Sequence, residues 1–575
     1  MSIGKSHPAV RFERVPVVPG RLFDLNKIRS DILTDVNQKT IQEFSQSEIE
    51  LLLGEALYFE KIRIRKNSKL SPSNIFTFSR TKKDKKLWGS VQSGLLKKPT
   101  EVDRNVLLEQ VVSHYSEEII SRFSPKVYDF ATRAVPWGFN WLLNAASLKH
   151  FKPWGMTASL ASCLKIQGEV EWLQRLSKKG TILLVPTHQS NIDSVLIGYL
   201  IYLMSLPPFA YGAGLNLFTN PILNFFMGNL GAYTVDREKT NALYKATLKN
   251  YSTSLLAEGV HSIFFPGGGR SRSGAIESHL KLGLLGTGMK AQIQNMLAGK
   301  PNPNVYVVPM VMSYHFVFEA ASLIEDLLSK SGKHRFMAVD QGNPFPVVST
   351  LKFFWKLFSQ KSEVTVRVGK PLDIFGNFVD EEGQSIGPNG TSIDPKRWLT
   401  SCGELGFDEK RDAEYTRHLG TRLVDRFYKE NTVLTSHLVA FSLFMALRKK
   451  YPELDLYRFL RLSRSQRSIP IDVFYQVAEE FHLRLKQKHE RMELHLSEEL
   501  LTMPLEKWVE NGIGHLGHLH DLDVVKKGKR AIWTEDMNLL YYYRNRLTGY
   551  GLSLLGDLGA RTKEPGEYDQ KGFLA

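Results

Sequence analysis

Between about residues 165 and 375, short β-branched runs alternate with stretches of helical periodicity, and this constrains the fold more than any other feature of the chain. The runs are Thr181 to Val185, Ala232 to Val235, Ser262 to Phe265, Tyr306 to Met312 and Val364 to Val368. Each is too apolar for a loop and is bounded by turn residues, so each reads as a strand. Strands separated by helices pair side by side with the helices on their faces. The prediction is an α/β domain with a central mixed sheet, flanked by N-terminal and C-terminal helical domains.

Residues 1–160 predict the N-terminal helical region, with apolar positions at helical spacing from Ile41 to Glu60 and from Asn105 to Ser121. Between them the basic stretch Lys61 to Lys86 reads as a loop. Its Lys61, Arg63, Arg65, Lys66, Lys69, Arg80, Lys82, Lys83, Lys85 and Lys86 suit anionic headgroups, or plain solvation. The α/β domain is placed at 161–380. The turn-rich segment from Glu381 to Asp394 predicts a linker over 381–400, and 401–575 predicts a C-terminal helical domain with a flexible tail. No internal repeat is visible.

An apolar fraction of 42% and a charged fraction of 23% belong to a globular chain and exclude a disordered or fibrous one. Cys163 and Cys402 lack the spacing of a zinc site or a disulfide framework, which points to a reducing compartment. The net charge of +16 attracts polyanions without choosing among nucleic acid, an anionic bilayer and acidic substrates. The apolar stretch Val195 to Met204 falls short of the roughly 20 residues that span a bilayer, so no transmembrane helix is expected. Charges at Arg11, Glu13, Arg14, Arg21, Asp24 and Lys27 exclude a secretory signal there.

The run Thr181 to Val185 leads into Pro186-Thr187-His188-Gln189-Ser190-Asn191-Ile192-Asp193, and a helical stretch follows. Residues five apart lie about 140° apart on a continuous helix, so His188 and Asp193 can meet only if the helix begins between them. Ser190 is the expected N-cap, with Asp193 in the first turn folding back to the imidazole. A carboxylate on one imidazole nitrogen leaves the other free to accept an alcohol's proton, which is general-base chemistry without a protein nucleophile. Ordinary capping by Asp193 explains the same local sequence.

A second constellation is Phe264-Phe265-Pro266-Gly267-Gly268-Gly269-Arg270-Ser271-Arg272-Ser273-Gly274. Glycines let backbone amides approach an anion, and arginine forks match phosphate oxygens. It is neither a P-loop nor a nucleophile elbow, because the Lys-Ser/Thr and the closing glycine those motifs need are absent. A tight basic turn is the alternative. Arg237, at the end of Gly231-Ala232-Tyr233-Thr234-Val235-Asp236-Arg237, and Lys281 are placed to join Arg270 and Arg272 around one anion.

These residues resemble the glycerol-3-phosphate acyltransferases, within the wider glycerolipid acyltransferase superfamily. His188 to Asp193 matches the His-X4-Asp block, and Gly231 to Arg237 is similar to the second block with Thr234 in place of an aromatic. Pro266, Gly268, Gly269, Arg270 and Ser271 meet the third, extended by Arg272-Ser273-Gly274. Val308 to Tyr314, running on to Glu319, is similar to the fourth, with Pro309 the matched proline. Asn431 to Leu434, Leu438 to Ala440 and Leu540 to Asn545 look like C-terminal segments of the same branch. The resemblance covers about 165 to 550.

The resemblance implies His188 and Asp193 as catalytic residues. It implies Arg237, Gly268, Gly269, Arg270, Ser271, Arg272, Lys281 and Pro309 as substrate-binding residues. The implied reaction moves an acyl chain from acyl-CoA or acyl-carrier protein to glycerol 3-phosphate, giving 1-acyl-glycerol 3-phosphate for phospholipid synthesis. No metal or bound cofactor is implied and no nucleic acid. The place implied is the cytoplasmic side of a membrane, such as a bacterial inner membrane, held peripherally or as a monotopic protein on an anionic surface. Gly267 stands where the family has glutamate. That leaves open a catalytically impaired, lipid-binding relative, and dihydroxyacetone phosphate, with the same phosphate and primary hydroxyl, is the alternative acceptor.

Overall fold

The computed structural model describes residues 16–68, 75–133, 164–215, 218, 221–331, 363–401, 403–517, 520 and 522–552. The chain forms two compact units. The first comprises Met1–Ser271, Glu277–Tyr314 and Phe336–Thr432, and the second Arg272–Ile276, His315–Arg335 and Val433–Ala575. The N-terminal helices thus share a unit with the sheet, a grouping that differs from boundaries at 160 and 401.

The first unit is built on a seven-stranded sheet. Its strands are β1 (Leu164–Gly168), β2 (Thr181–Pro186), β3 (Ala210–Gly214), β4 (Ala232–Val235), β5 (Ser262–Ile263), β6 (Val305–Tyr314) and β7 (Val364–Val368). They lie in the order β1-β7-β6-β2-β5-β3-β4. Only β6 and β7 pair antiparallel, so the sheet is mixed. β2 and β6 are buried along their whole length, which is why their sequences are nearly unbroken apolar runs.

Two strands carry no such signal. β1 is an edge strand of mixed polarity, and β3 reads Ala-Tyr-Gly-Ala-Gly, a composition depleted in sheets. The glycine in β3 has a packing reason: a Cβ on Gly212 would lie 3.0 Å from the ring of Tyr233 on β4. The run from Ser262 pairs only through Ile263, after which the chain leaves the sheet for the glycine turn.

Helices α1 (Leu25–Gln42), α2 (Ile49–Ser68), α3 (Ile75–Leu96) and α4 (Glu101–Ile119) precede the sheet. α5 (Val170–Lys179), α6 (Asp193–Leu203), α7 (Ala242–Ala257) and α8 (Leu282–Leu297) connect its strands. The start of α4 is fixed by a capping box between Thr100 and Asp103. Leu25, Ile32 and Val36 of α1 share a core with Leu108, Val111 and Tyr115 of α4 and with Leu243 and Tyr251 of α7.

The described parts of the basic stretch Lys61 to Lys86 are helical rather than loop. Lys61 to Ser68 close α2, and Lys82 to Lys86 lie within α3. Arg63 is buried, so it is not a headgroup contact. Lys69 and the side chain of Arg80 lie outside the described residues. The expected linker over 381–400 is folded too. Phe378–Val379, Ser385–Ile386 and Ser392–Ile393 form a small three-stranded sheet, followed by a helical turn at Pro395–Trp398.

The second unit is mainly helical. Thr435–Lys450 and Met537–Arg544 pack together, with the Arg544 guanidinium 4.6 Å from the Phe444 ring centroid. Ser468–Pro470, Lys526–Lys527 and Ala531–Trp533 add a small sheet. The expected tail falls outside the described residues. Among the described residues, no helix is long and apolar enough to cross a membrane.

Candidate active site

β2, β5, β3 and β4 all run in the same direction, so their C-terminal ends lie along one edge of the sheet. This is the edge where open α/β sheets bind ligands. β2 delivers His188 there, β4 delivers Arg237 and β5 delivers the glycine turn.

The His188–Asp193 pair is formed. Nδ1 of His188 lies 2.8 Å from Oδ2 of Asp193. A carboxylate can only accept, so Nδ1 carries the proton and the Nε2 lone pair is available. Oδ2 also accepts the backbone N–H groups of Gln189 at 2.7 Å and Ser190 at 3.0 Å. Oδ1 accepts the hydroxyl of Tyr314 at 2.5 Å. Asp193 is fully buried, whereas the His188 side chain is 15% exposed.

The route to this geometry differs from the expected one. The helix begins at Asp193, with Ile192 at the N-cap and no side-chain cap from Ser190. Asp193 itself folds back to gather the amides of the preceding turn. The ring of Phe265 lies 4.3 Å from that of His188, with the planes 31° apart, and walls one face of the imidazole.

The glycine turn grips the His188 backbone from both sides. The N–H of Ser271 donates to the His188 carbonyl at 2.7 Å, and the His188 N–H donates to Oε1 of Glu277 at 2.7 Å. The N–H of Lys281 returns to the carbonyl of Pro266 at 2.7 Å. Gly268 has φ +67°, where glycine is favoured, and a Cβ there would meet Cδ of Lys281 at 2.6 Å. The lysine stem therefore lies directly over the turn.

Arg237 approaches from the other side, its Nη1 lying 3.9 Å from where a Cβ on Gly269 would be. Burial, and then the like charge of Arg270, push its pKa below the ordinary arginine value. Among the described residues Arg237 has no acidic partner. Cations gathered at one turn suit an anion. Arg272 belongs to the second unit and pairs there with Asp326 at 2.8 Å. Pro309 is buried in β6 opposite Val185, and its carbonyl accepts from Gly369 N–H at 2.8 Å. It is part of the sheet framework.

The segment beside Arg237 is tied to the N-terminal helices by a buried network of charge. Arg63 pairs with Glu60 at 2.6 Å and with Asp84, and reaches Asp236 at 4.0 Å. Lys239 pairs with Glu118 at 2.5 Å and Glu60 at 3.7 Å. His114 lies 3.0 Å from Asp84 and 3.4 Å from Glu118. Burial opposes its protonation, but the two carboxylates outweigh burial and raise its pKa to about 9. The ligand atoms of Asp84, His114 and Glu118 lie within 4.8 Å of one another, close enough for a metal ion. Arg63 and Lys239 already meet those carboxylates, so the group reads as an ion-pair network.

Tyr314 and Phe265 escape sequence reasoning as functional partners of His188, whereas Glu277, like Glu258, stands out in the sequence as a carboxylate near Gly267 but outside the motif position. Tyr314, Phe265 and Glu277 are all distant in sequence from the pair and reach it only through the parallel sheet and the return of the turn. Near the site, Leu196, Ile197 and Leu200 of α6 are fully buried, while Phe225 is 53% exposed.

Residues 167–313, spanning β1 to the penultimate residue of β6, match the family model described as Acyltransferase. The matched stretch lies almost wholly in the first unit, which therefore carries an acyltransferase domain. The chain is similar to the glycerol-3-phosphate acyltransferase of Pseudomonas paraeruginosa, with 27% identity over 286 residues, covering 49% of this chain and 30% of that protein. The enzyme of the same name from Pseudomonas entomophila is 26% identical over 356 residues, covering 61% of this chain and 36% of that protein. The alignments thus span about a third of the length of these relatives.

Proposed function

We propose that the chain is a glycerol-3-phosphate 1-O-acyltransferase, taking its acyl group from an acyl thioester, either acyl-CoA or acyl-carrier protein. The observation that carries this reading is the junction of two devices. The glycine turn that gathers Arg237, Arg270 and Lys281 also hydrogen-bonds the backbone of the His188 general base. A small acceptor whose phosphate rests on those cations presents its hydroxyl toward the imidazole.

In the proposed step, Nε2 of His188 removes the proton of the primary hydroxyl as its oxygen attacks the thioester carbonyl carbon. The new C–O bond forms a tetrahedral oxyanion, which collapses with loss of the C–S bond. The imidazolium, held by Asp193, returns the proton to the leaving thiolate. The products are 1-acyl-glycerol 3-phosphate and free thiol, with no net change in protonation of the protein.

The names of the Pseudomonas relatives support this acceptor. A lipid product and a net charge of +16 suit a peripheral or monotopic place on an anionic leaflet, on the cytoplasmic side. The test is purified protein given one acyl thioester and, in turn, glycerol 3-phosphate, dihydroxyacetone phosphate and glycerol. Glycerol 3-phosphate is expected to be acylated fastest. Arg237→Ala and Arg270→Ala are expected to raise its KM by about tenfold or more, the loss of a charge-assisted contact. Equal rates on glycerol, or unchanged KM in both variants, would refute phosphate recognition.

A further inference from the structure

The third glycyl block carries no carboxylate of its own, yet one stands over it. A Cβ on Gly267 would lie 3.1 Å from Cγ of Glu277, 3.4 Å from its Oε1 and 3.3 Å from the carbonyl oxygen of Gly269. Gly267 is not among the residues with positive φ, so its backbone conformation does not demand glycine. The space above it is simply filled. The filling group is also bonded to the base, since the same Oε1 accepts the His188 N–H at 2.7 Å.

The fold explains how a residue at 277 comes back over 267. The N–H of Lys281 closes onto the Pro266 carbonyl, so the returning backbone runs beside the turn. Its side chains then cover the glycines in sequence, Glu277 over Gly267 and the stem of Lys281 over Gly268. With Ser271 bonded to the His188 carbonyl, both peptide groups of the base are fixed by this one loop. The ring is fixed separately, through Asp193.

We propose that Glu277 is the positioning carboxylate for His188, and that Gly267 is bare because Glu277 occupies the space a side chain there would take. This rests on the reading of His188 as the general base. It makes Gly267 a matched partner of Glu277 rather than a lesion. A glutamate added at 267 with Glu277 still present puts two carboxylates in one place, where like charges and crowding displace the loop.

The test is a transplant of the carboxylate: wild type, Glu277→Ala, Gly267→Glu, and the double variant carrying both changes. Acyl transfer is read together with local amide exchange by mass spectrometry over the peptide containing His188. Glu277→Ala is expected to lower kcat by up to about 100-fold, the scale of a misplaced catalytic group, while KM for glycerol 3-phosphate moves far less. Exchange at the His188 peptide should quicken without a general rise elsewhere. Gly267→Glu alone is expected to lose activity. The double variant should recover at least about tenfold of the loss in Glu277→Ala and restore protection of the amide.

A gain in Gly267→Glu alone, or a double variant no better than Glu277→Ala in both readouts, would overturn the proposal. The exchange readout separates it from the proposed activity. Wild type inactive on glycerol 3-phosphate but with His188 protection lost in Glu277→Ala and regained in the double variant would refute the acceptor and keep Glu277. An active wild type with Glu277→Ala unchanged in both readouts would do the reverse.

Discussion

Burying a carboxylate is costly unless donors meet it, and at Asp193 they do: the imidazole, two backbone amides and the Tyr314 hydroxyl all point at its oxygens. Tyr314 is the donor to Oδ1, the oxygen not facing the imidazole. Tyr314→Phe leaves a buried acceptor short of its partner, a loss of about 1–3 kcal/mol. The expected outcome is a fall in kcat of about tenfold at nearly constant KM, and steady-state kinetics on acyl transfer checks it. An unchanged kcat would mean that the tyrosine does not help set the pair. At this scale the sequence is a good guide to what is local. The five-residue separation and the turn residues between His188 and Asp193 were enough to expect their meeting, although Ser190 proved not to be the cap. Tyr314 and Phe265 were not legible as their partners, and Glu277 was legible only as a carboxylate near Gly267, because their proximity to the pair depends on sheet register and loop closure.

The element that most changes the picture is the set of N-terminal helices. The sequence between Lys61 and Lys86 hides its helices because charged residues occupy inward positions: Glu60, Arg63 and Asp84 are buried, which defeats a reading based on apolar periodicity. These charges neutralise one another and reach the segment next to Arg237. Arg63→Met removes the cation and leaves Glu60 and Asp84 buried with less compensation, so a loss of about 3–5 kcal/mol is expected in chemical denaturation. A stable Arg63→Met protein would show that the network contributes little. His114 adds a pH dependence. Its folded pKa of about 9 lies above its ordinary value of 6.5. The stability it contributes is therefore fully present below about pH 6.5 and is lost as pH rises through 9. The groups around it are Asp84, Glu118 and Lys239, with Arg63 and Glu60 one contact further on. Thermal midpoints are expected to fall over that alkaline window in wild type and to fall less in His114→Gln; parallel curves would contradict the assignment. β3 shows the opposite failure of sequence reading, where small residues chosen for close packing carry almost no strand signal.

At the scale of the whole molecule, the alternation of strands and helices was sufficient to expect an α/β domain with a mixed sheet, and the sheet has that form. The grouping into compact units was not legible, because it depends on which helices share a core rather than on where composition changes. The net charge of +16 belongs to this scale as well. Binding to vesicles is expected to rise with anionic lipid content and to weaken as salt screens the surface. Binding indifferent to both would argue against an electrostatic peripheral mode. The central claim, however, is that one histidine performs the proton transfer at a phosphate-binding sheet edge. The most direct test is acyl transfer to glycerol 3-phosphate by wild type and by His188→Ala, both shown to be folded. General-base catalysis predicts a loss of about 10²–10⁴-fold in kcat with acceptor binding retained; a His188→Ala protein with wild-type kcat would contradict the account.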